Sequence, residues 1–138
     1  MQLKQGDLFR GMDIEFMREI IDLTVNISGK VGDNLFKVGD PANFFYILLK
    51  GSVTMERGKG KWYTAKQPGE LFGWSALIHR KEFAASAACN TDCELLKIER
   101  DPFLKLLESS PTNKATLYEQ LAKMIGNQLL EVYVTTAS

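Results

Sequence analysis

The chain has 138 residues, 45% hydrophobic and 25% charged, which suits one ordinary domain able to bury a core without disulfide or metal staples. Seventeen basic and seventeen acidic side chains cancel, so no net field draws nucleic acid or an anionic membrane, and no apolar run approaches the ~20 residues that cross a bilayer. The opening Met1-Gln2-Leu3-Lys4-Gln5-Gly6-Asp7 lacks the apolar stretch of a secretory signal, so a cytoplasmic protein forming one domain over 1–138 is expected.

From Asp13 to Leu23 the residues Ile14, Phe16, Met17, Ile20, Ile21 and Leu23 recur at helical spacing, with Asp13 placed to cap the first turn. Short β-rich runs follow at 24–27, 35–38, 44–50, 52–57 and 61–66. Gly32-Asp33, Gly39-Asp40-Pro41, Gly51, Gly58-Lys59-Gly60 and Pro68-Gly69 punctuate them as turns, because glycine supplies positive φ and proline presets a turn. Strands broken every ~8–12 residues argue for a sandwich, jelly roll or barrel and against a parallel α/β sheet. Two more strands fit 83–90 and 93–98, although Leu95 breaks the alternation of Glu94, Leu96 and Ile98.

Helical signals return at Asp101-Pro102, where aspartate can cap and proline suits the first helical position. Phe103, Leu104, Leu106 and Leu107 supply an apolar face, and Ser109-Ser110-Pro111 opens a last helix from Thr112. Some 20 residues there make a rod of roughly 30 Å, longer than a small roll needs as a cover. Its stripe Tyr118, Leu121, Ile125, Leu129 and Val132 either packs on its own roll or pairs with a second copy as a homodimer. Gly126 weakens the helix interior by about 1 kcal/mol, and the β-branched stretch 132–136 is expected to fray. The predicted class is mostly β with flanking helices: a roll over about 24–98, one helix before it, and two after it over about 101–135.

Little in the chain suggests catalysis. Cys89 and Cys93 with the lone His79 fall short of a four-ligand metal site, and two small strand or core residues is the simpler reading. No histidine cluster and no Ser/His/Asp or Cys/His constellation is available, so an enzyme is not expected.

Leu35-Phe36 through Gly39-Asp40-Pro41-Ala42, then Phe44-Phe45-Tyr46-Ile47-Leu48 and Lys50-Gly51-Ser52-Val53, resembles the signature of the cyclic-nucleotide-binding domain superfamily. Pro68-Gly69-Glu70-Leu71-Phe72-Gly73 is similar to that family's entry into its phosphate-binding cassette. The resemblance implies an eight-stranded β-roll (a double-stranded β-helix, jelly-roll-like) with helices at both ends and a regulatory, cAMP- or cGMP-sensing role. In the family the cassette reads approximately Phe-Gly-Glu-Leu-Ala-Leu, then Arg-Ala-Ala-Ser/Thr. Its glutamate holds the ribose hydroxyl and its arginine the cyclic phosphate, aided by backbone N–H groups at a short helix start.

Here Phe72 and Gly73 match, Trp74 stands in the glutamate's place, and Ser75, Ala76 and Leu77 follow. Phe83 stands in the arginine's place, with Ala84, Ala85 and Ser86 closing the motif. Arginine offers phosphate a planar fork of donors and phenylalanine offers none, so cAMP or cGMP affinity is expected to be weakened. Trp74 and Phe83 either fill the pocket or line an open apolar one. Arg80 and Lys81 could reach back as substitute charges, although charges at a loop tip usually face water. The basic hairpin 57–61 has a similar pair of readings, polyanion contact or a turn whose lysines discourage edge pairing.

Two functions therefore stand. One is a sensor with a weakened or altered small-molecule ligand; the other is a ligand-independent dimerisation or protein-interaction module with a filled pocket. The DNA-binding relatives carry a helix-turn-helix after the long helix, and this chain ends at Ser138, so direct DNA binding is not expected. Haem, known among some relatives, would need His79, Cys89 or Cys93, and nothing in their spacing places them together.

Overall fold

The computed structural model describes residues 9–58 and 60–137, with side chains as far as Leu130. Helix α1 (Ile14–Asp22) starts where expected: Asp13 takes extended backbone angles and its carboxylate accepts from the Phe16 N–H at 2.8 Å. Strands β1 (Thr24–Gly29), β2 (Asn34–Phe36), β3 (Phe44–Lys50), β4 (Val53–Arg57), β5 (Gly60–Ala65), β6 (Leu71–Phe72), β7 (Ser86–Cys89) and β8 (Cys93–Glu99) follow. A single short 3-10 turn, Trp74–Leu77, separates β6 from β7. Helices α2 (Arg100–Glu108) and α3 (Pro111–Ala137) complete the described chain.

The strands form two four-stranded antiparallel sheets, ordered β1-β8-β3-β6 and β2-β7-β4-β5. This is the β-roll that the sequence led one to expect. Gly51, at the β3–β4 turn, has φ +97°, and a Cβ there would lie 2.4 Å from the Asp92 carbonyl oxygen. Only glycine lets these two chain reversals close on each other.

Two apolar layers share the first sheet. Phe45, Ile47, Leu71, Leu96 and Ile98 face the helices, where Phe16, Ile20, Phe103, Leu107, Leu117 and Leu121 cover them. Tyr46, Leu48, Phe72 and Leu95 point the other way, into the roll, against Phe36, Val53, Met55, Phe83 and Ala87. That explains why Leu95 breaks alternation: β8 lies between β1 and β3 and is covered on both faces, so consecutive leucines serve different cores.

Two expectations need correction. Asp101 is not a cap: α2 begins two residues earlier than expected, at Arg100 after Glu99, and the Asp101 carboxylate accepts from Arg100 Nε at 3.0 Å. The strand expected over 83–90 begins only at Ser86, because residues before it bend around the cassette.

Along α3 the expected stripe divides. Leu121 is buried, and Tyr118 is half-buried with its hydroxyl donating to the Leu77 carbonyl at 2.9 Å. Ile125 packs at the edge of the helix-facing core, while Leu129 is 53% exposed; the Val132 side chain lies outside the described residues. No helix among the described residues is long and apolar enough to cross a membrane.

Candidate functional site

The cassette opens at Gly73, whose φ of +79° turns the chain out of β6, where Phe72 pairs with Tyr46, and into the 3-10 turn. A Cβ at Gly73 would lie 3.3 Å from the Phe36 ring and 3.5 Å from the Phe83 ring, so the backbone runs directly against the aromatic cluster. Ser75, Ala76 and Leu77 are buried. The Ser75 carbonyl accepts from the N–H groups of Ile78 and Arg80 at 3.3 Å each, which closes the turn on itself.

Phe83 sits at the centre of the cassette. Its backbone is clamped in both directions, with its N–H donating to Asp40 O at 2.9 Å and its carbonyl accepting from Gly39 N at 3.0 Å. Its ring is 2% exposed and stacks on Phe36 at 3.9 Å between centroids and 14° between planes. Phe44 meets it at 5.4 Å, and Tyr46 and Phe72 extend the same stack around Phe36. The motif's aromatic has thus joined the roll's core.

Trp74 behaves differently. It is half-buried and packs on the helix-facing core, with its edge on the cassette cavity. That cavity holds only about 80 Å³, between Trp74, Phe83, Ala84 and Ala85 on one side and Met55 and Trp62 on the other. Ordinary small-molecule sites run to roughly 300–1,000 Å³. Ser86, which closes the motif, is committed to the scaffold: its hydroxyl accepts from the Val38 N–H at 2.9 Å.

The structure does not bring the expected substitute charges to the cavity. Arg80 and Lys81 are exposed at the tip, where the Lys81 carbonyl accepts from Ala42 N at 2.9 Å. The basic side chain on the cavity wall is instead Arg57, at the end of β4. Trp62 and Gln128 also line it and were not among the expected site residues. Their only sequence signals were the basic hairpin beside Arg57 and a buried-spacing amide on α3. Both became meaningful once the sheets had placed β4, β5 and α3 around the cassette.

Cys89 and Cys93 are buried free thiols at the ends of β7 and β8. Burial, then the neighbouring Cys93, pushes the Cys89 thiol up to about 12, which keeps it protonated and a poor metal ligand. Cys93 donates to the Ser52 carbonyl at 3.2 Å, while His79 is exposed at φ 62° beyond the 3-10 turn. Among the described residues no group of three or more His, Cys, Asp or Glu could hold a metal ion.

The roll, its paired sheets and a glycine-opened turn between β6 and β7 are the architecture of regulatory cyclic-nucleotide-type domains. A family model for the cyclic nucleotide-binding domain matches residues 28–110, and the chain belongs to that family. A cAMP-dependent protein kinase regulatory subunit from Debaryomyces hansenii is 30% identical over 118 residues, which are 84% of this chain and 26% of that protein. The chain therefore spans about a quarter of that relative's length. Among solved structures, the Thermus thermophilus catabolite activator protein superposes with TM-score 0.73 at 27% identity, over 94% of this chain and 62% of that one. A cyclic nucleotide-binding domain from Methylobacillus flagellatus gives 0.79 at 19% identity, over 90% and 72% of the two chains, a likeness of fold alone.

Proposed function

We propose that this is a non-catalytic regulatory domain of the family whose cassette has exchanged phosphate and ribose recognition for aromatic packing, leaving cAMP and cGMP bound weakly or not at all. The observation that carries this reading is Phe83, 2% exposed and stacked on Phe36, at the motif position of the phosphate-binding arginine. Losing one charge-assisted hydrogen bond to a partly buried phosphate costs roughly 1.5–3 kcal/mol, or about one to two decades in affinity. Trp74 withdraws a second polar contact, and a cavity of about 80 Å³ leaves little room beside it.

Calorimetry with cAMP and cGMP is expected to show no saturable heat below about 1 mM ligand. A micromolar Kd for either would overturn the reading. The paired replacement Trp74→Glu with Phe83→Arg restores both side chains and is expected to raise cAMP affinity by about tenfold or more. Trp74, at the cavity edge, gives a fluorescence signal for the same titration.

A second reading, a protein-interaction module, is favoured by one feature of α3. Leu129 and Leu130 are 53% and 63% exposed on successive positions beyond the part of the helix that packs on the roll. Sedimentation across a concentration series distinguishes a self-associating α3 from a monomer. A wild-type dimer that Leu129→Ser dissociates supports pairing along this helix, and a monomer at all concentrations removes it.

A further inference from the structure

A larger cavity lies on the other side of Gln128, between α3 and the corner joining β5 to β6, and holds about 490 Å³. Its floor is occupied by the fold's own bonds. Glu70 accepts from the Tyr63 hydroxyl, from the Lys66 and Gln67 N–H groups and from Gln128 Nε2. The small cassette cavity differs. Ser75 lines it and is only 6% exposed, yet the Ser75 hydroxyl hydrogen-bonds to none of the described residues. Among those residues, every side-chain oxygen or nitrogen sealed from solvent has a partner, so this free hydroxyl opens onto the cavity. A hydroxyl held so deep weakens the fold unless something in the cavity bonds to it.

Arg57 gives the same cavity its charge. It is exposed at the end of β4, and its guanidinium has neither an ion pair nor a hydrogen bond among the described residues. The rest of the wall is largely aromatic, with Trp62, Trp74 and Phe83. The space of about 80 Å³ is roughly half of the ~150 Å³ that takes a benzene ring. A nucleobase or any other aromatic ring is therefore too large, and only a few non-hydrogen atoms fit inside. A hydrocarbon of that size would leave Ser75 unbonded and Arg57 unused. An inorganic anion would lay its charge against the rings, and a dianion would bring one charge too many for a single guanidinium.

We infer that the cassette cavity takes a short monocarboxylate bearing a hydroxyl or oxo group. Its carboxylate stays in the mouth on Arg57, its few carbons lie against the aromatic rings, and its second oxygen bonds to Ser75. The inference rests on the reading of the cassette as closed to cyclic nucleotides, and names the ligand class that the same site takes instead.

The chain has two tryptophans, Trp62 and Trp74, and both line this cavity, so intrinsic fluorescence reports its occupancy. Titration of the full chain with lactate, 3-hydroxybutyrate and acetoacetate tests the inference. At least one acid is expected to give a saturable change, half-complete at or below about 1 mM. Butyrate, which lacks the second oxygen, and 2-butanol, which lacks the charge, are expected to bind about tenfold more weakly or worse. Arg57→Gln is expected to weaken the best acid about tenfold or more, and Ser75→Ala about fivefold. Because the Ser75 hydroxyl has no partner in the fold, its removal should not lower the thermal midpoint. The inference is overturned if no acid saturates, if butyrate or 2-butanol binds as tightly as the best acid, or if either variant binds unchanged. A lowered midpoint for Ser75→Ala also overturns it, by showing that the hydroxyl is already bonded. Micromolar cAMP binding would instead overturn the reading of the cassette beneath it, whereas silence from cAMP and the acids alike removes this inference alone.

Discussion

The two cavities that meet at Gln128 reverse what their positions suggest. The one carrying the family's motif is small and aromatic, walled by Phe83, Trp74, Trp62 and Phe36 around about 80 Å³. The one outside the motif is about six times larger by comparison with 490 Å³, and charged, with Arg10 and Lys123 over Glu70. A motif's backbone and its side chains thus carry separate information. Gly73 and the turn after it preserve the inherited path of the chain, whereas chemistry follows the residues planted on that path.

The strongest way to break this contrast is to empty the cassette. Phe83→Ala removes a ring that is 2% exposed and stacked at 3.9 Å, so a loss of about 3–5 kcal/mol is expected from urea unfolding. Trp74→Ala removes a half-buried ring and should cost less than half as much. Equal losses would mean that both aromatics belong to one core. A loss below about 1 kcal/mol for Phe83→Ala would mean that the cassette is not packed shut.

The larger cavity responds to its floor. Glu70→Ala takes the acceptor from the Lys66 and Gln67 amides and from Gln128, and should destabilise by about 2–3 kcal/mol. Glu70→Gln keeps one carbonyl oxygen for those donors and should cost roughly half of that. If the two variants unfold alike, the carboxylate is not organising the β5–β6 corner. Because Gln128 borders both cavities, double variants at Phe83 and Glu70 also test whether the two regions are energetically independent.

Much of this architecture was legible in the chain, and what was missed has a consistent cause. Turn residues with local consequences, such as Asp33 and Asp40, mark strand ends because their carboxylates accept from the Lys30 and Lys37 N–H groups only three residues away. The unbroken apolar run of β3 likewise reports a strand covered on both faces. Arg57 and Gln128 reach the cassette only through the pairing of β4 with β7 and the docking of α3, which no local pattern encodes. Phe83 shows the same limit from inside the motif. Its position was readable, but whether its ring closed the pocket depended on Phe36, 47 positions earlier. Glu70 was read as part of the motif leading into the cassette, and its burial beneath α3 became visible only with the helix in place.

The smallest expected effect concerns how α3, the wall common to both cavities, is fixed at its start. Asp13 accepts from Phe16 N through one oxygen at 2.8 Å and from Asn113 Nδ2 through the other at 3.0 Å, tying the start of α1 to the first turns of α3. The Asn113 amide, then the Phe16 N–H, hold the Asp13 carboxyl below its ordinary value of 3.8. The folded state therefore binds this proton less readily than the unfolded chain does. Its stabilisation is fully present above 3.8 and is lost as pH falls through the lower folded value. Urea midpoints of wild type and Asp13→Ala should differ at neutral pH and converge on acidification, whereas Asn113→Ala should narrow the difference at every pH. A gap that stays constant from neutral pH to about pH 2 would show that Asp13 acts through helix geometry alone and not through its charge.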